Sequence, residues 1–156
     1  MNSNIMQTEK RIPRGFKLEI PALSENEAFA RQVICAFAAR LDPTIEELSD
    51  LRVVVSEAVT NCVVHAYKGR ESIGMIQINV RISPSGALKI RIKDTGCGMS
   101  DIEQCMQPLY TTDPEGERGG MGLPIMQSLA KKFAVKSIPG KGTTVTLEMQ
   151  FGQANR

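Results

Sequence analysis

Phe16, Leu18 and Ile20 alternate with Lys17 and Glu19, the two-residue period of a strand with one buried face, and Pro21 ends the run. Ser24 and Glu27 then stand at capping-box spacing, and apolar residues recur at helical intervals to Leu41, which predicts a first helix over residues 24–41. Asp42-Pro43-Thr44 supplies N-cap residues and a proline suited to a first turn, and Thr44 with Glu47 forms a second candidate box. A long helix is expected from there to about Tyr67, with Gly69 ending it. On a helical wheel Leu48, Val55, Val59, Cys62 and Ala66 share one side, while Asp50, Glu57, Asn61 and His65 gather toward the other.

Residues 73–82 and 87–93 alternate around Pro84-Ser85-Gly86, the signature of an antiparallel hairpin. After Gly98 the pattern predicts a short helix at residues 101–107 and a Thr-, Pro- and Gly-rich loop at 110–119, a candidate lid. Helical spacing returns over residues 120–133 through Leu123, Met126, Leu129 and Ala130, and strands at 135–138 and 143–151 close the chain around Pro139-Gly140-Lys141-Gly142. Residues 1–14 are polar and aperiodic, so they are expected to be a mobile lead before a single domain over residues 15–156. This order predicts an α/β, more strictly α+β, two-layer sandwich, with a mixed, mostly antiparallel sheet and the helices on one face. It is not a Rossmann order, and no GxxxxGK[ST] sequence is present.

Composition narrows the partners. With 42% hydrophobic and 23% charged residues in 156, the chain is an ordinary globular domain able to bury its own core. A net charge of +2 without any basic run predicts no direct contact with nucleic acid. Cys35, Cys62, Cys97 and Cys105 lack CxxC spacing and have one histidine for company, so they read as free thiols rather than a zinc site. No apolar window approaches the roughly 20 residues a membrane helix needs, and no apolar h-region follows the N-terminal charges. A cytoplasmic protein with no membrane partner is expected.

Four short sequences carry candidate chemistry. Glu57, Asn61 and His65 lie on successive turns of one helix face, where a carboxylate can take a proton and a carboxamide oxygen can ligate Mg²⁺. Alone, ExxxN is more often a solvated helix face, and His65 is as readily a structural histidine. Asp94-Thr95-Gly96-Cys97-Gly98 follows a strand, offering close backbone approach and a carboxylate acceptor for an exocyclic amine such as that of adenine, though such turns also end ordinary strands. Arg118-Gly119-Gly120-Met121-Gly122 opens a helix, where bare N–H groups and a fixed positive charge suit a phosphate chain, though glycines also merely separate elements. Gly140-Lys141-Gly142-Thr143-Thr144, alone, is indistinguishable from a hairpin turn.

Taken in order, SEAVTNCVVHAY, DTGCGM, RGGMGL and GKGTT resemble the N, G1, G2 and G3 boxes of the GHKL superfamily, whose ATP site is the Bergerat fold. ALSENEAFAR, LDPTIEELSDLRVVVSEAVTN and CMQPLYTTDPEGERGGMGLPIM further resemble the anti-sigma serine-protein kinases of endospore-forming bacteria, across residues 16–147. That resemblance implies a homodimer that uses ATP and Mg²⁺, binds sigma factor F when loaded with ATP, and phosphorylates a serine of an anti-anti-sigma factor. It implies that Glu57 is the general base, that Asn61 is the Mg²⁺ ligand, and that Arg118 stabilises charge on the γ-phosphoryl group. Asp94 would read the adenine amine, with Gly96 and Gly98 shaping the base pocket and Thr143 supporting Asp94. Thr111, Thr112, Gly120, Met121 and Gly122 would surround the phosphates beneath the lid, and Arg31 would contact the protein partners.

The chain departs from the family's pattern in its lead before Gly15 and in a second glycine of RGGMG where serine is common. No phosphorylatable-histidine helix is expected before the domain, which argues against a complete sensor histidine kinase. A nucleotide-gated sigma-binding module with negligible catalysis remains an alternative, as does a kinase serving a general stress sigma factor.

Overall fold

The alternating segments become five strands: β1 (Gly15–Pro21), β2 (Met75–Ile82), β3 (Leu88–Asp94), β4 (Lys132–Ile138) and β5 (Gly142–Met149). They come from a computed structural model that describes residues 14–108 and 122–152. The sheet order is β1-β2-β3-β5-β4, and every neighbouring pair is antiparallel, so no parallel pair mixes into the sheet among the described residues.

Register aligns the apolar positions into rows across the sheet. Phe16, Val80, Ile90, Leu147 and Phe133 form one, and Leu18, Ile78, Ile92, Val145 and Val135 the next. The opposite face exposes Lys17, Glu19, Gln77, Arg81 and Arg91, which is the one-sided burial that strict alternation encodes. On the apolar face lie α1 (Glu25–Ala38) and α2 (Ile45–Asn61), joined by a 3₁₀ turn at Ala39–Leu41, then α3 (Ile102–Cys105) and α4 (Gly122–Leu129). Ile34 of α1, Leu51, Val54 and Val55 of α2 and Met126 of α4 are fully buried against Ile76, Ile78, Ile90 and Leu147. Burial of each such side chain contributes roughly 1.5–3 kcal/mol before entropy is counted.

Local chemistry moves several predicted boundaries. Thr44 and Glu47 form the expected capping box, with Glu47 N–H donating to Thr44 Oγ1 at 3.2 Å and Thr44 N–H to Glu47 Oε2 at 2.8 Å. Ser24 does not cap α1, because its backbone is already helical (φ −56°, ψ −37°) and Glu27 is drawn instead to Ser56 and Arg31. The helix expected to reach Tyr67 leaves α geometry after Asn61 and continues as a π turn, Cys62–Ala66. Strand β4 starts at Lys132 rather than at residue 135, because Phe133 pairs with Leu147 and packs on the core. The predicted lead at residues 1–14 lies, but for Arg14, outside the described residues, as does the lid at 110–119.

Candidate functional site

Capping fixes the start of α2, and Leu51, Val55, Ala58 and Val59 bind its inner face to the core. Glu57, Asn61 and His65 are thereby held half-buried at the rim. The π turn that follows swings backbone carbonyls out of the helical ladder, as such turns frequently do at working sites. Ala66 O accepts from Cys97 N–H at 2.7 Å and His65 O from the Cys97 thiol at 3.3 Å, so the end of α2 docks the loop after β3. Gly96 makes this approach possible, since a Cβ there would overlap Ala66 O.

Asp94 closes β3 in the core-facing row that begins with Ile20 and Ile76, where the alternation calls for an aliphatic residue. It is only 5% exposed. Its Oδ1 accepts from Gly96 N–H at 2.9 Å and from Thr143 N–H at 3.2 Å, which fixes the carboxylate from two loops. Its Oδ2 accepts the Cys62 thiol, at 3.7 Å. Burial, reinforced by the negative charge of Asp94, pushes the Cys62 thiol well up, so it stays protonated at neutral pH and can only donate weakly. One oxygen of a fixed, buried carboxylate is thus left with room for a stronger donor. Gly142, at φ +118°, lies against Asp94 O where no Cβ fits. Ser137 Oγ accepts from Met99 N–H at 2.7 Å and bonds Thr143 Oγ1 at 2.8 Å, which ties the two loops together.

A cavity of about 310 Å³ opens in front of Asp94. Asn61, Asp94, Gly98, Gly122 and Thr143 line it together with Ala58, Ile92, Met99, Leu123 and Val145, an apolar slot with polar groups at its edges. Gly96 lies behind the slot rather than in its wall. Glu57 lines a separate, wider groove between α1 and α2, of about 730 Å³, with Arg31, Arg52 and Ser56. Gly122, the first residue of α4 and part of the slot's wall, stands beside the Glu57 carboxylate: a Cβ there would lie 2.9 Å from Glu57 Oε2 and 3.3 Å from Asn61 Oδ1. Arg31 donates to Ser56 Oγ at 3.1 Å and pairs with Glu27 at 3.2 Å, while Ser56 donates to the same Glu27 oxygen at 2.6 Å. Thr111, Thr112, Arg118, Gly120 and Met121 lie outside the described residues.

Sequence reasoning assigned no place in the cavity to Cys62, Cys97, Cys105, Met99 or Lys68, all of which line it. All four cysteines are free, and three of them belong to this wall. Cys62 follows Asn61 directly, and its place on the apolar stripe concealed that the stripe also floors the slot. Among the described residues no cluster of three or more His, Cys, Asp or Glu is arranged to hold a metal. Asn61 Oδ1 and Glu57 Oε2 at Gly122 are hard oxygen atoms of the kind Mg²⁺ accepts, an ion that keeps its waters and takes few protein ligands. No helix among the described residues is long and apolar enough to cross a membrane.

Residues 20–149 match the family model described as histidine kinase-like ATPase domain. The chain is similar to the anti-sigma F factor of Pasteuria penetrans, with 49% identity over 140 residues that cover 90% of this chain and 92% of that protein. It is similar also to the anti-sigma F factor of Thermoanaerobacter pseudethanolicus, 48% identical over 136 residues, 87% of this chain and 93% of that one. Among solved structures, the RsbU and RsbW domains of Rv1364c from Mycobacterium tuberculosis superpose with a TM-score of 0.63 at 20% identity, over 90% of this chain and 34% of that one. Full-length ShkA in complex with AMPPNP gives a TM-score of 0.55 at 21% identity, over 87% and 32%. The chain therefore spans about a third of each of these two solved chains, and the likeness shows a common fold.

Proposed function

The chain belongs to the histidine kinase-like ATPase family, in the group of the anti-sigma F factors, and from that premise we propose an ATP-dependent anti-sigma factor. It binds sigma factor F when loaded with ATP and phosphorylates a serine of the opposing anti-anti-sigma factor. The supporting observation is at Gly122, in the wall of the slot that holds Asp94, where the carboxylate of Glu57 and the carboxamide of Asn61 come within 3.4 Å of where a Cβ would stand. A nucleotide with its purine at Asp94 would point its phosphates toward Asn61, Gly122 and Glu57.

In this reading Asp94 Oδ2 accepts the exocyclic amine of adenine, and Gly98 and Thr143 border the ring. Asn61 would hold Mg²⁺, which supplies charge neutralisation along the phosphates. Glu57 takes the proton of the substrate serine as its oxygen bonds the γ-phosphorus, and the bond from that phosphorus to the bridging oxygen breaks to leave ADP. Thr111, Thr112, Gly120 and Met121 are assigned to the phosphates, and Arg118 to the charge that develops on the transferred group. Arg31, held beside Glu57 by Ser56 and Glu27, is the contact for incoming protein. A homodimer is part of the same proposal.

Co-purification tests it: sigma factor F should be retained by the chain in ATP with Mg²⁺ and lost with EDTA. Equal retention with and without nucleotide would overturn the ATP-gated reading, and retention of a general stress sigma factor in its place would overturn the choice of partner.

A further inference from the structure

Tyr67 stands just beyond the π turn of α2, 91% buried, with its hydroxyl placed between strand β2 and the loop after β3. That hydroxyl donates to Met75 O at 2.5 Å, accepts from Thr95 N–H at 2.9 Å and lies 3.4 Å from Thr95 Oγ1. Arg70 completes the grip. Its guanidinium lies over the Tyr67 ring, 5.5 Å from the centroid, and donates to Thr95 O at 3.1 Å. Thr95 is therefore held on its N–H by Tyr67 and on its carbonyl by Arg70. The next peptide N–H, that of Gly96, is one of the two that fix Asp94 Oδ1. Gly74 makes room for the ring, since a Cβ there would overlap it.

We infer that Tyr67 is a positioning residue for purine selection: its hydroxyl, acting through the Thr95–Gly96 peptide, sets the direction in which Asp94 presents its second oxygen. The inference rests on the ATP-binding reading above and adds a determinant outside the cavity wall, for Tyr67 does not line the slot. Phe at this position keeps the ring and its packing and removes the hydroxyl's bonds to Met75 and Thr95, freeing the loop without emptying the core. The expected loss falls on recognition of the exocyclic amine. The phosphate end, at Glu57 and Gly122, is reached by other elements and should keep its rate.

The test compares Tyr67→Phe with the unmutated chain for binding of ATP and of inosine triphosphate, which has a carbonyl in place of the amine. Loss of one hydrogen-bonded constraint should weaken ATP about five- to tenfold. Inosine triphosphate should change less than twofold, so the preference for ATP narrows. In phosphotransfer KM for ATP should rise and kcat should hold. Equal weakening of both nucleotides would overturn the inference, as a merely structural role predicts, and so would unchanged ATP affinity. Should Tyr67→Phe fail to fold, Arg70→Ala at the exposed side of the same grip decides, with a smaller narrowing of the same preference expected and none overturning it. Absence of any ATP preference in the unmutated chain would instead refute the ATP-site reading itself.

Discussion

Asp94→Asn isolates the adenine contact from the architecture around it. The substitution keeps the side chain's shape and leaves one oxygen for the N–H groups of Gly96 and Thr143, so the bonds between the two loops survive. The second oxygen, which accepts the Cys62 thiol at 3.7 Å, becomes an amide nitrogen that donates. An adenine amine would then meet a donor instead of an anion. A hydrogen bond to a charged group is worth about 1.5–3 kcal/mol. At 1.4 kcal/mol for each factor of ten, ATP affinity should fall about 10- to 150-fold. Calorimetric titration with ATP measures that loss, and urea unfolding of the same preparation should show stability within about 1 kcal/mol of the parent because the backbone bonds remain. ATP binding within twofold of the parent would refute the reasoning, and so would a loss of affinity that merely followed a collapse of the fold.

Three further outcomes follow from the same geometry. The raised Cys62 thiol means that the folded chain retains a proton the unfolded chain releases near the ordinary thiol range of about 8.5. Stability is thus full below that range and falls as pH rises above it. Denaturant midpoints between pH 7 and 10 should show a shallower fall in Cys62→Ala, with Cys35 and Cys105, also raised by burial, supplying the remainder. Gly122→Ala places a methyl 2.9 Å from Glu57 Oε2, the end of a flexible side chain, so the melting temperature should hold while phosphotransfer slows about tenfold. Thr44→Ala removes the capping box of α2 and should cost about 1 kcal/mol, read by thermal melting as a drop of roughly 2–4 °C.

Much of the fold was written in the chain as alternation. Strands β1, β2, β3 and β5 fall close to where the period of two puts them, and the Thr44–Glu47 box starts α2 as its residues imply. The candidate site was legible as motifs, Asp94 heading a glycine turn after a strand and Gly122 among glycines that open a helix; only the fold shows that Asp94 stands in a row of aliphatics and that a side chain at Gly122 would press on Glu57 and Asn61. Where two partners compete for one side chain, local spacing fails. Ser24 and Glu27 have capping-box spacing, yet Glu27 serves Arg31 and Ser56, and Ser56 lies 29 residues away in sequence. The π turn left no mark in the apolar periodicity, because Cys62 and Ala66 are buried in either geometry. Tyr67 read as the end of a helix, since its partners Met75 and Thr95 come from two later segments and only the folded sheet brings them together.

The most direct test of the whole account is transfer of labelled γ-phosphate from ATP to the anti-anti-sigma factor by the intact chain, run in parallel with Glu57→Gln. The account predicts one labelled serine on the partner and a rate lowered at least a hundredfold by the substitution, within the 10²–10⁴ that a positioned general base supplies. Sigma binding in ATP should survive in that variant. Phosphotransfer by Glu57→Gln at the parent rate would contradict the assigned chemistry, and ATP-dependent sigma binding by a parent chain that labels nothing would make the protein a nucleotide-gated binder instead of a kinase.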